Sequence, residues 1–250
     1  MDVLEKYFDH YVINARLKPA FFVVMPLAIT TIAWCPEAQR IGGVIIAFMI
    51  TFGVMAFLSN LVSNSGNELQ LRLFKLWGGA PSTMILRHAD TTLDSHTKKR
   101  YHRWLEARVP DLELPDASME LNTVDDADEV YISATNFLRE FSRDKTKYPM
   151  VYSDNVAYGF SRNLLVMRWL GFGISFISVM LNLGFLYFGY FGQSYPNYIQ
   201  ANTAEFLFGL GAMCTSILLV VLFAFFVNKS YVHGRAIRYA KSLVAVCDRE

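Results

Sequence analysis

His88, Asp90, Asp94 and His96 fall within one short stretch, LRHADTTLDSH at residues 86–96, and imidazole with carboxylate is a donor set that suits several divalent cations. The two pairs, His-x-Asp and Asp-x-His, match no established ligand spacing. Aspartate and serine also cap turns and helices in water-facing loops. We therefore assign no metal site, no catalytic set and no cofactor to this stretch, and read it as a loop near a membrane surface. A second chemistry-bearing group is basic: Arg87, Lys98, Lys99, Arg100 and Arg103. Guanidinium and ammonium groups at this density suit an anionic ligand such as a nucleotide or a phospholipid headgroup. Pairing with acidic residues elsewhere in the chain is the competing reading.

A third group is weakly polar. Gly171, Ser175, Ser178, Asn182 and Gly189 recur at helical spacing along an apolar run, and Gly209, Ala212 and Ser216 do so along another. Small and hydroxyl residues let helices approach closely and hydrogen-bond across the contact. The same face could line a polar path through an assembly of several copies. GGAPST at 78–83 lacks the lysine of a phosphate loop and is read as a helix stop made by Gly78, Gly79 and Pro81.

These residues must be positioned by helices in a bilayer. The chain of 250 residues is 53% hydrophobic and only 18% charged, with mean hydropathy +0.26, which is too apolar for an ordinary soluble protein of this length. The apolar runs Leu17–Trp34, Ile41–Val62, Trp169–Phe191 and Ala204–Val227 are each long enough to cross a hydrocarbon core of about 30 Å. Asp2, Glu5 and Asp9 ahead of the first run have the wrong charge for a signal peptide. Cys35, Cys214 and Cys247 are scattered and read as free thiols. Net charge is +1, from 23 basic and 22 acidic residues, so direct nucleic-acid binding is not expected.

Thirteen basic residues lie in 63–163, with further ones at both ends, while the connector 35–40 carries only Arg40 and 192–203 none. The positive-inside rule then places both termini and the middle segment in the cytoplasm. The expected fold is an all-α integral membrane protein. It comprises an interfacial amphipathic helix (1–16), a first transmembrane hairpin (17–62), a small helical cytoplasmic domain (63–163), a second hairpin (164–227) and a basic amphipathic tail (228–250). The helix SHTKKRYHRWLEARV is expected to be N-capped by Ser95, to bury Tyr101, Trp104 and Leu105, and to wet Lys99, His102 and Arg103. The segment 110–129 reads as an acidic linker; Val130, Ala134, Phe137, Leu138 and Phe141 resume helical spacing. The stripes Leu4, Tyr7, Phe8, Tyr11, Ala15 and Val232, Ala236, Ala240, Leu243 are expected to lie on lipid.

KLWGGAPSTMILRHAD, TKKRYHRWLEARVPDLELP and FSRDKTKYPMVYSDNVAYGFSRN resemble, in this order, segments of a family of uncharacterised bacterial membrane proteins with the same two-plus-two layout. The resemblance covers about residues 68–168 and implies a multi-pass protein of a bacterial inner membrane, with no activity to carry over. Lys18, Arg168 and Glu205 are the Asp, Glu, Lys, Arg or His residues in or beside the spans, and all three sit at span ends, which disfavours proton coupling or voltage sensing. Two functions follow as expectations. One is a homo-oligomeric effector whose cytoplasmic domain receives a protein or small anionic ligand and whose spans form a pore or perturb the bilayer, in stress or antiviral defence. The other is a non-enzymatic, membrane-anchored scaffold that recruits a cytoplasmic protein.

Overall fold

The computed structural model describes residues 9–35, 41–191 and 203–249, all without strands and almost entirely helical. The stripe residues Leu4, Tyr7 and Phe8 and the connectors carrying Arg40 and Tyr195 lie outside the described residues, as do the side chains of Gly189, Tyr190 and Glu205. The helices are α1 (His10–Trp34), α2 (Ile41–Trp77), α3 (Pro81–Met84), α4 (Ser95–Arg108), α5 (Ala117–Asn122), α6 (Val124–Phe141), α7 (Pro149–Val166), α8 (Arg168–Phe191), α9 (Thr203–Val221) and α10 (Lys229–Val244). The chain divides into two compact units, Met1–Asn67 with Phe160–Asn228, and Glu68–Gly159 with Lys229–Glu250.

In the first unit α1, α8 and α9 pack on one another. Their shared interior holds Ala20, Val23, Leu219 and Phe223, joined by Val62 of α2. Nearer the other end Trp34 packs with Ala33 and Ala212, its ring stacked on Phe185 at 5.3 Å. The outer surface is apolar: Phe176 and Ile177 on α8, and Leu207, Phe208 and Leu218 on α9, are exposed. Exposed apolar surface on this scale has no reason to face water. Three helices, His10–Trp34, Arg168–Phe188 and Phe206–Phe226, are long and apolar enough to cross a membrane. The run Ile41–Val62 forms the first part of α2, with Ile45, Ile46, Met49, Ile50 and Phe57 exposed.

Two π-helical turns interrupt this unit. One, Ile13–Leu17, precedes Pro19, and the Asn163 amide donates to its Ala15 carbonyl at 2.6 Å. The other, Leu222–Phe226, ends α9, and the Arg168 guanidinium donates to the carbonyls of Phe223 (3.0 Å) and Ala224 (2.6 Å). A π-turn leaves carbonyls without their usual helical donors. Arg168, expected to reach the interface on its own, instead supplies those donors. α1 continues across residue 16, with the π-turn Ile13–Leu17 lying within it.

In the second unit α4, α6, α7 and α10 surround a core containing Leu86, Tyr101, Leu105, Tyr131, Leu138, Tyr148 and Leu243. The helix stop is realised as expected. Gly78 and Gly79 have φ of +83° and +147°, and the Gly79 amide reaches back to the Phe74 carbonyl at 2.8 Å, the six-to-one bond of a Schellman cap. The reading of the tail needs correction. Val232, Ala236, Ala240 and Leu243 do form a stripe, but it is buried in protein together with Val244, Val246 and Cys247, so this face of α10 does not meet lipid. Burial pushes the Cys247 thiol up to about 12, keeping it protonated and unreactive. The acidic segment 110–129 likewise is not a plain linker: it folds as α5 and the first turns of α6.

Candidate functional site

The loop from Ile85 to Asp94 is held by buried side chains. Its backbone carbonyls converge on Lys98, whose Nζ donates to Arg87 O (2.6 Å), Asp90 O (2.5 Å) and His88 O (3.4 Å). Its amides converge on Glu120, which accepts from His88 N (2.7 Å), Ala89 N (3.1 Å) and the Tyr131 hydroxyl (2.8 Å). Helix periodicity alone places Lys98 in line with Tyr101, Leu105 and the core. It is buried, and only an ammonium with several carbonyl acceptors makes that tolerable. Burial lowers the Lys98 pKa, while Asp90 and Glu120 oppose the shift.

The two histidines act as donors to carbonyls. His88 Nε2 donates to Pro115 O at 2.9 Å and His102 Nε2 to Leu86 O at 2.8 Å, with the rings edge to face at 5.2 Å. A carbonyl can only accept, so both rings carry the proton on Nε2. His102, expected to be wet, is buried beside Tyr131 and Lys98. Asp90 accepts from Thr92 N, and Asp94 caps α4 by accepting from His96 N and Thr97 N. The cap is therefore Asp94 and not Ser95. Among the described residues no three His, Cys, Asp or Glu side chains converge on one point.

The basic group divides. Arg87 is ion-paired with Asp128, with Nε to Oδ1 at 2.8 Å, and also reaches Gly78 O. Arg100 makes a two-pronged pair with Asp248 at 2.6 and 2.9 Å, joined by the Tyr101 hydroxyl. Lys98 is consumed by the loop. Only Lys99 and Arg103 remain exposed and without an ion pair among the described residues. The five residues thus do not form one anion site.

The weakly polar stripe lies inside the first unit. Ser175, Ser178 and Asn182 are fully buried. Asn182 accepts from Trp34 Nε1 (2.7 Å) and donates to Thr30 Oγ1 (2.8 Å) and Ser178 O (2.7 Å). Ser175 donates to Gly171 O at 2.7 Å. Gly171 faces the Phe223 ring and Gly209 faces Trp34, each so closely that a Cβ would overlap the aromatic carbons. In a single chain these residues pack helices.

Comparison with family models, curated proteins and solved structures finds no match. The resemblance drawn over residues 68–168 therefore stands without support from them.

Sequence reasoning missed Glu120, Asp128 and Trp34 as organising residues. Glu120 was one of eight acidic residues in a segment read as a linker; its three partners come from two other parts of the chain. Around it the surface is exposed: Met119, Leu121 and Val124 are 56, 79 and 50% accessible, the kind of apolar display that marks an interaction surface.

The clamp has a pH signature. Burial pulls His102 down from its ordinary 6.5, so it is neutral when folded and protonated first in the unfolded chain. Burial raises Glu120, but its bonds from His88, Ala89 and Tyr131 outweigh this and leave it below its ordinary 4.5. Both groups contribute stability above their ordinary pKa values and lose it as pH falls through the folded ones. Thermal melts of the second unit are expected to be flat between about pH 7 and 8, to decline below about 6.5 and to steepen below about 4.5. In His102→Asn only the acid-side decline should remain.

Proposed function

We propose that the chain is a membrane-anchored, oligomeric scaffold of a bacterial inner membrane, which presents the unit Glu68–Gly159 with Lys229–Glu250 to the cytoplasm. In this reading the spans form two hairpins, with the first part of α2 as the fourth span, and both termini are cytoplasmic, in keeping with the distribution of lysine and arginine. The reading assigns no chemical step and no metal or cofactor. The observation that carries it is the consumption of Ser175 by a helix carbonyl and of Asn182 by Trp34, Thr30 and a helix carbonyl. Polar groups already bonded within the bundle support anchoring rather than conduction.

A second reading retains the pore-forming effector, in stress or phage defence. It is favoured by Ser178, whose buried hydroxyl has no hydrogen-bond partner among the described residues and would gain one if the helices parted around water. Dye-loaded vesicles of phosphatidylethanolamine and phosphatidylglycerol separate the two. The scaffold leaves the dye inside at every protein density. Leak that rises with protein density and falls in Ser178→Ala would overturn it in favour of the effector.

A further inference from the structure

Each copy carries an acidic, apolar-centred surface on α5 and α6 and a basic face on α4. The acidic surface is built to be rigid. Asp116 caps α5 by accepting from Ser118 N and Met119 N, both at 2.8 Å, and Glu120 points inward to the loop and Tyr131. With position 120 anchored inward, Leu121 on its shoulder faces water. Asp125, Asp126 and Glu129 surround the start of α6, all exposed and without an ion pair among the described residues.

On α4, Lys98, Tyr101, His102 and Leu105 turn inward, which leaves Lys99 and Arg103 outward. Their aliphatic stems can cover an exposed leucine while the charged ends reach carboxylates. Among the described residues no ion pair joins this face to Asp125, Asp126 or Glu129, whereas Arg87 and Arg100 are paired internally. Complementary charge is therefore left over on two different surfaces of the same unit. The acidic rim would repel anionic lipid, which disfavours the bilayer as the cover for Leu121.

We infer that the α5–α6 surface of one copy docks on the α4 face of a second copy. Because the two surfaces differ, the contact is heterologous and propagates head to tail. Spans fixed in one bilayer restrict successive rotations to an axis along the membrane normal, so the chain of contacts closes as a ring instead of growing a filament. The inference rests on the scaffold reading only in having the spans hold copies in one plane.

The test is charge reversal in the full-length protein in detergent, read as particle mass by light scattering and native mass spectrometry. The wild type is expected to be a multimer that dissociates toward one copy at high salt, because exposed pairs are screened. D125K/D126K/E129K, and separately K99E/R103E, are expected to run as single copies. Mixing these two variants, or combining all five changes in one chain, is expected to restore the multimer. A single-copy wild type at low salt overturns the inference, as does a multimer whose mass is indifferent to both reversals. Unchanged mass with loss of phosphatidylglycerol vesicle binding in K99E/R103E also overturns it, and assigns the basic face to lipid. None of these results bears on vesicle leak, so the choice between anchoring and conduction is tested separately.

Discussion

Glu120→Leu is expected to be the most damaging single change in the second unit, costing about 3 kcal/mol, because it strands three donors at once and each buried donor left unmade costs roughly 1–3 kcal/mol. The donors are His88 N, Ala89 N and the Tyr131 hydroxyl, and the carboxylate that joins them is itself buried. Lys98 loses a stabilising charge in the same step, since Glu120 is one of the acids that favour its ammonium form. Tyr131→Phe removes one of the three bonds and no backbone partner, and is expected to cost only about 1 kcal/mol. Urea unfolding followed by tryptophan fluorescence measures both, Trp104 lying beside Phe137 and Phe141 against this core. Equal losses in the two variants would mean that the loop does not depend on the Glu120 clamp. The double variant tests the coupling, which is expected to be well below additive because both changes break the same bond.

The second large effect belongs to the membrane unit. Gly171→Ala places a methyl where the Phe223 ring already stands, and Phe223 is fully buried against Leu219 and Val227. The ring cannot swing aside, and the Arg168 guanidinium fixes the backbone of the same turn through the Phe223 and Ala224 carbonyls. Overpacking of this kind costs about 1–3 kcal/mol. Gly171→Ala is expected to lower the melting temperature in detergent clearly. Phe223→Leu in the same chain is expected to recover most of the loss by making room, although it is mildly destabilising alone. Gly173→Ala is the control, since nothing lies within 4 Å of its added Cβ, and it is expected to be near neutral. If Gly173 and Gly171 tolerate alanine equally, α8 and α9 do not pack as closely as described.

Several features were legible in the residues alone, each for a local reason. Membrane-length helices follow from long apolar runs whose only charges sit at their ends, and the end of α2 at Trp77 follows from Gly78 and Gly79, which can adopt positive φ at little cost. The cap of α4 was displaced by one residue because Asp94 and Ser95 are both good caps, and only the folded backbone shows which side chain reaches His96 N and Thr97 N.

The candidate sites were less legible, because residue types announce capacity and not partners. Five basic residues within 87–103 suggest one anion site; three-dimensional neighbours from 128 and 248 claim two of them, and loop carbonyls claim a third. The stripe of α10 suits lipid as well as it suits a protein core, since hydrophobic burial has no directional preference. Its cover is decided by which apolar surfaces sit opposite, here those of the second unit. The sequence by itself determined that the chain is helical, that at least three of its helices are apolar enough for a bilayer, and where the helix-stopping residues fall, because period, length and backbone freedom are properties of neighbours along the chain. Tertiary structure decided the rest: that Glu120 and Lys98 close a loop, that Asn182 meets Trp34 and Thr30 inside the bundle, and that Lys99, Arg103, Asp125 and Asp126 are left on the surface. Those outcomes depend on hydrogen-bond and charge partners far apart in sequence, which only the folded chain brings within a few ångströms.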